Sequence, residues 1–182
     1  NTLFRHAVTA AKKVKTETDL SRTSVSMATM AVKAAEKTFG SLLGKNIMLI
    51  GASGKIGSVV LKNLQCIEGA RVYITSRNMG KACEDRHHKI TYQMMDYEHR
   101  YELIDEMDVV ISATSSPHYT LTYDNLTKVL KTSKKRVLVD LAVPMDIEEK
   151  VEWLPGIKRY DVDDFQELAK ANNEKKQHEV VA

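Results

Sequence analysis

A chain of 182 residues, 43% of them hydrophobic, can bury one core of ordinary domain size. Its net charge of +3 is scattered along the sequence, which excludes a strongly basic nucleic-acid binder and leaves a solvated surface. No run approaches the roughly 18 apolar residues of a membrane span, and no signal peptide is visible, so neither DNA nor a membrane is expected as a partner.

Cys66 and Cys83, the two cysteines, have no metal-ligand spacing and no base in a nucleophile arrangement. They read as structural thiols in a reducing, cytoplasmic compartment. The chain begins at Asn1, without Met, and enters helical sequence at once, which suggests a piece of something longer.

Leu3, Phe4, Ala7, Val8, Ala11 and Val14 keep a 3.6-residue period and predict a connecting helix within residues 1–22. The capping residues of Thr16–Ser21 interrupt it. A second helix is expected over Ser24–Phe39, with Gly40 and Gly44 as stop signals. Asn46–Ile50 is a short apolar run without alternation, as suits a central parallel strand buried on both faces.

Lys55–Leu64 then predicts a helix, Arg71–Thr75 a second strand and Asn78–Arg86 a short helix. Lys89–Met94 reads as a polar third strand, suited to an edge, and Tyr97–Glu106 as helix. Asp108–Ala113 and Arg136–Leu141 predict the fourth and fifth strands, with a helix at Tyr123–Leu130 between them. Ile157–Tyr160 reads as a sixth strand, before a charged helix over Asp164–Glu179 capped by Asp163 and Asp164.

Strands and helices alternating at this spacing predict an α/β fold: a Rossmann-type, doubly wound, mostly parallel sheet with helical N- and C-terminal connectors. The expected division is a connecting helix over 1–22, an NAD(P)-binding domain over 23–163, and the start of a C-terminal connecting helix over 164–182.

Gly51-Ala52-Ser53-Gly54-Lys55-Ile56-Gly57 lies between the first strand and the following helix. There Gly51 permits the tight turn, Gly54 lets backbone approach a pyrophosphate, and Gly57 allows close packing of helix on strand. The N–H groups of the helix start, with its dipole, then hold the anion, and Ser53 and Lys55 add side-chain contacts. The spacing is GxxGxxG, one residue longer than the common GxGxxG, and an ordinary glycine-rich turn is the competing reading.

The second strand ends Thr75-Ser76-Arg77-Asn78, without the carboxylate an NAD site places there for the ribose 2′-hydroxyl. Arg77 offers a planar fork to a 2′-phosphate, Thr75 and Ser76 are hydroxyl donors, and Lys81 is near. NADPH is therefore the expected cofactor; a solvated surface arginine is the alternative for Arg77. Thr114, Ser115 and Ser116 follow the fourth strand, and Ala142, Val143 and Pro144 the fifth, at the carboxyl edge where such sheets bind ligands. His118 reads as an ordinary loop histidine. His87, His88 and His99 lack metal-site spacing, so neither a metal site nor a catalytic residue is assigned.

Further motifs extend the pattern. Leu3-Phe4 leading to Lys15-Thr16-Glu17-Thr18, then Ser24-Val25-Ser26 opening a helix, resembles the joint before the cofactor domain of the glutamyl-tRNA reductase family. Asp108–His118, Val139–Asp146 and Tyr160–Asp164 also resemble that family in order and spacing. The resemblance implies an NADPH-binding middle domain of an enzyme that reduces glutamyl-tRNA(Glu) to glutamate-1-semialdehyde on the way to tetrapyrroles. It implies a V-shaped homodimer whose separate catalytic domain carries a thioester-forming cysteine. Neither Cys66 nor Cys83 stands in that cysteine's motif, so this chain alone is expected to be inactive; the glycine turn is also one residue longer than the family's usual one, which bears on the phosphate contacts. A shikimate-dehydrogenase-like NADP-dependent oxidoreductase domain and a stand-alone dinucleotide-binding regulatory domain are the alternatives.

Overall fold

Ile47, Met48, Leu49 and Ile50 are all fully buried, although their side chains alternate between the two faces of one strand. A strand covered on both faces needs this continuous apolar run. The computed structural model describes residues 20–77 and 92–167. In it this strand, β1 (Asn46–Ile50), is joined by β2 (Arg71–Ser76), β3 (Tyr92–Asp96), β4 (Val109–Ser112), β5 (Arg136–Asp140) and β6 (Ile157–Tyr160).

The six form one sheet in the order β3-β2-β1-β4-β5-β6, and every neighbouring pair is parallel. The expected doubly wound sheet is therefore present, and the strand order reverses between β1 and β4. Ligands bind at such a switch point, outside the carboxyl ends of the strands.

Period-two alternation sends Ile47, Leu49, Val72, Ile74, Val109, Ile111, Val137 and Val139 to one face. There they meet Ala28, Ala31 and Ala35 of α1 (Leu20–Phe39) and Val60 and Leu64 of α2 (Lys55–Leu64). Met48, Ile50, Val110 and Leu138 face the other way, against Ile104, Leu121, Ile147, Val151 and Leu126 of α3 (Tyr123–Val129). Each fully buried Val, Leu or Ile contributes roughly 1.5–3 kcal/mol.

Several expected elements differ in extent. α1 begins by Leu20, four residues before Ser24, because Ser21, Thr23 and Ser24 continue the helix and do not open it. The first expected helix, the Asn78–Arg86 helix and the start of the third strand lie outside the described residues. The third strand itself occupies Tyr92–Asp96, at the sheet edge as expected.

Tyr97–Glu106 is not a helix but two short 3₁₀ turns, Tyr97–His99 and Ile104–Glu106. Side-chain anchors replace the helical ladder at both ends. Asp96 accepts from the Glu98 N–H, and Arg100 and Tyr101 reach the Thr120 carbonyl. Asp105 accepts from the N–H groups of Lys131 and Thr132 and from the buried Arg136 guanidinium. Burial alone would raise the Asp105 carboxyl. The Thr132 and Lys131 hydrogen bonds and the Arg136 charge outweigh it and hold the group below the usual carboxylate range.

At the other end, helix 162–167 starts earlier than expected. Asp161 caps it by accepting from the Asp163 and Asp164 N–H groups, and Asp164 returns the contact by accepting from the Asp161 N–H. Phe165 of this helix is buried and stacks on Tyr160 with ring centroids 6.0 Å apart.

Candidate functional site

The chain leaves β1 through Gly51, whose φ of +86° is open only to glycine without strain. The Gly54 N–H donates back to the Gly51 carbonyl at 3.0 Å and closes the turn. A Cβ on Gly51 would lie 2.7 Å from the Ala113 carbonyl oxygen, and one on Gly57 would overlap the Gly51 carbonyl. The first and third glycines are thus explained by the protein's own packing. They let the turn sit against the end of β4 and the first turn of α2 sit against the end of β1.

Gly54 is the N-cap of α2, and no side chain caps this helix end. No carboxylate occupies its first turn either. Ser53 and Lys55 are exposed beside it, whereas Ala52 and Ile56 turn their side chains into the core. An uncapped helix end without negative charge suits an anion.

At the end of β2 the Thr75 hydroxyl is buried without a hydrogen-bond partner. Arg77 is exposed, and its guanidinium lies 5.3 Å from the centroid of the Tyr97 ring. The Arg100 guanidinium lies over the same ring at 4.0 Å, held by hydrogen bonds to the carbonyls of Thr120 and Tyr97. Burial pushes the Tyr97 hydroxyl up, against the opposing pull of Arg100 and Arg77. Lys81 lies outside the described residues.

The loops after β4 and β5 are bound together by two carboxylates that sequence reasoning did not single out. Asp146 is fully buried. Its Oδ2 accepts from the Ser112 hydroxyl at 2.7 Å and the Thr114 N–H at 2.9 Å, and its Oδ1 from the Thr114 hydroxyl at 2.6 Å. Asp140, also fully buried, accepts from the N–H groups of Ala142, Asp146 and Ile147 at 2.8–2.9 Å. Burial pushes the Asp140 carboxyl up to about 6; the Asp146 charge adds to that, and the N–H contacts oppose it.

The expected contact residues of these loops are displayed unequally. Thr114 donates its hydroxyl to Asp146 and accepts from the Ser116 N–H, so its side chain organises the loop. Ser115 is exposed, and Ser116 folds its hydroxyl onto the His118 carbonyl. Ala142 is buried, whereas Val143 and Pro144, joined by a cis peptide, are exposed. His118 is exposed on the same loop.

All the expected residues within the described parts therefore gather at one edge of the sheet, on the exits of β1, β2, β4 and β5. Asp140, Asp146, Ser112, Thr120, Tyr97 and Arg100 were missed. One signal was legible: an aspartate directly inside the apolar run Val137-Leu138-Val139-Asp140-Leu141-Ala142. Cys66 is exposed just beyond α2, at the end remote from the glycine turn, with its thiol on the Lys62 carbonyl. Among the described residues no cluster of three or more His, Cys, Asp or Glu is placed to hold a metal, and no helix is long and apolar enough to cross a membrane.

Comparison with known proteins assigns the fold to a family. Residues 33–168 match the family model described as shikimate / quinate 5-dehydrogenase. The chain is 35% identical over 174 residues to the glutamyl-tRNA reductase of Alkaliphilus metalliredigens, covering 94% of this chain and 40% of that protein. It is 34% identical to that of Clostridium novyi, covering 97% and 42%. The solved glutamyl-tRNA reductase from Methanopyrus kandleri superposes with a TM-score of 0.72 at 29% identity, over 97% of this chain and 45% of that one. The chain thus spans about two fifths of the length of the curated relatives it matches. It belongs to the shikimate / quinate 5-dehydrogenase family of domains, in the form found within glutamyl-tRNA reductases.

Proposed function

We propose that this chain is the NADPH-binding domain of a glutamyl-tRNA reductase, working in the cytoplasm within a homodimer. The observation that carries this reading is the glycine cradle. Backbone, not side chain, fills the space between the ends of β1 and β4, and α2 points an uncapped N-terminus outward. The diphosphate would lie across Gly51, Ala52, Ser53, Gly54, Lys55, Ile56 and Gly57. Arg77, with Thr75, Ser76 and Lys81, would take the 2′-phosphate. The buried, unpartnered Thr75 hydroxyl supports a polar ligand there.

Thr114, Ser115 and Ser116 would border the ribose of the nicotinamide half, and Ala142, Val143 and Pro144 its ring. When bound, the dihydronicotinamide supplies a hydride. The residues described here hold and orient it, and no side chain of this chain is assigned to capture an acyl group. In the whole enzyme that hydride would reduce the glutamyl thioester to glutamate-1-semialdehyde. A cysteine in another part of the protein would form the thioester from glutamyl-tRNA(Glu).

Calorimetric titration of the chain with NADPH and NADH tests the reading. Binding of NADPH in clear preference to NADH, without turnover of glutamyl-tRNA by the chain alone, is the expected result. No affinity for either nucleotide would overturn it. The family model favours a second reading, an NADP-dependent oxidoreductase of the shikimate type. Oxidation of shikimate by the protein carrying this domain, with no reduction of glutamyl-tRNA, would select it.

A further inference from the structure

The two exposed loops at the carboxyl edge have pinned ends, and one residue does most of the pinning. The Asp146 side chain holds Ser112 and Thr114, where the chain leaves β4. Its main-chain carbonyl accepts from the N–H groups of Thr120 and Leu121 at 2.6 and 3.0 Å, and from the Thr120 hydroxyl at 3.1 Å. Both ends of the 112–121 segment are thereby tied to one residue. Ser115, Pro117, His118 and Tyr119 stand exposed between them. The Asp146 N–H is itself held by Asp140, which also fixes Ala142 and Ile147 on either side of the exposed Val143-Pro144-Met145 tip.

A buried carboxylate is expensive unless donors surround it. Asp146 receives three, two of them from Thr114. Alanine at this position removes both acceptor oxygens, so the Ser112 hydroxyl and the Thr114 N–H and hydroxyl all lose their partner.

We propose that Asp146 is a positioning residue for the nicotinamide half of the cofactor, acting by locking the Thr114–Ser116 loop against the 142–146 loop. The assignment rests on the NADPH reading above. It predicts a selective defect. The 2′-phosphate end, held by Arg77 at the end of β2, lies two strands from this lock, whereas the nicotinamide half would lie against it.

The test titrates the parent chain and Asp146→Ala with two probes, NADPH and adenosine 2′,5′-bisphosphate, which carries the 2′-phosphate but no nicotinamide. Asp146→Ala should bind NADPH about tenfold more weakly. It should keep the bisphosphate affinity within about twofold and lose part of the fluorescence enhancement of bound NADPH. Equal loss for both probes, or no loss for either, would overturn the proposal. Should Asp146→Ala fail to fold by circular dichroism, Ser112→Ala is read in the same way. The Ser112 side chain is fully buried, and its hydroxyl meets only Asp146 and Thr120. A parent that binds neither probe removes the NADPH reading itself, and a parent that binds both while the variant loses both equally removes only the role of Asp146.

Discussion

The Arg77 guanidinium lies over one ring, that of Tyr97, which also carries Arg100 at 4.0 Å. Arg100 is tied to two main-chain carbonyls, so the ring is fixed from that side and Arg77 rests on a prepared surface. Arg77 is an exposed cation at the end of β2.

Arg77→Ala should therefore weaken NADPH by about ten- to a hundredfold, the worth of a charge-assisted contact of roughly 1.5–3 kcal/mol. NADH, lacking the 2′-phosphate, should lose little. Paired titrations of the two nucleotides decide the matter, and an equal loss for both would remove Arg77 from the phosphate site.

Tyr97→Leu leaves every proposed phosphate ligand in place and removes the ring that lies under both Arg77 and Arg100. An exposed cation over a half-buried aromatic ring is worth about 0.5–1 kcal/mol, so NADPH affinity should fall about two- to fivefold. Tyr97→Phe keeps the ring and should behave like the parent. If both variants weaken NADPH equally, the hydroxyl and not the ring is responsible.

Gly57→Ala tests the cradle. The added methyl group would overlap the Gly51 carbonyl, which is backbone and has little room to retreat. Overpacking of this kind costs roughly 1–3 kcal/mol. The urea midpoint should fall accordingly, and NADPH binding should fall more than tenfold because the turn itself must shift. A variant as stable as the parent would show that the turn yields more easily than its packing suggests.

Asp140 should leave a signature in the pH dependence of stability. The native state holds the Asp140 proton up to about pH 6, whereas an unfolded chain releases it near the ordinary value of 3.8. Between those values the native state binds more protons, so this group's contribution to stability falls as pH rises through the window. Relative to Asp140→Asn, the parent should gain on the order of 1 kcal/mol when the pH drops from 7 to 5. Urea unfolding of both proteins at the two pH values measures that double difference. A difference that does not change with pH would mean the carboxylate is ionised throughout.

The strands at Asn46–Ile50 and Ile157–Tyr160 were legible to the residue. The first betrays itself because burial on both faces demands an unbroken apolar run, and the second follows the Pro155-Gly156 turn. The glycine turn was legible because its demands are local: a strand, a tight turn and a helix within a dozen residues. What was not legible depends on distant partners. Ser112 and Thr114 meet Asp146 across 32–34 positions, and Asp105 meets Arg136 across 31, so hydrophobic period carries no trace of either contact. The 97–106 segment misled for the same reason. Its residues fit a helical pattern, but Arg100, Tyr101 and Asp105 each find a better partner elsewhere in the fold than the next helical turn.

The contact of Gly51 with Ala113 has a consequence for assembly. The two walls of the cradle come from β1, which starts at Asn46, and β4, which Asp108 immediately precedes; these two residues lie 62 positions apart and are joined by a hydrogen bond. Closing a loop of that size must come before the second wall exists, and such non-local pairings are slow to form. The β1–α2 unit alone has the glycine motif but only half a cradle. Nucleotide affinity therefore reports on the docking of β4 onto β1. A saturating nucleotide, at about a hundred times its Kd, would stabilise that long-range pairing by about 2.7 kcal/mol.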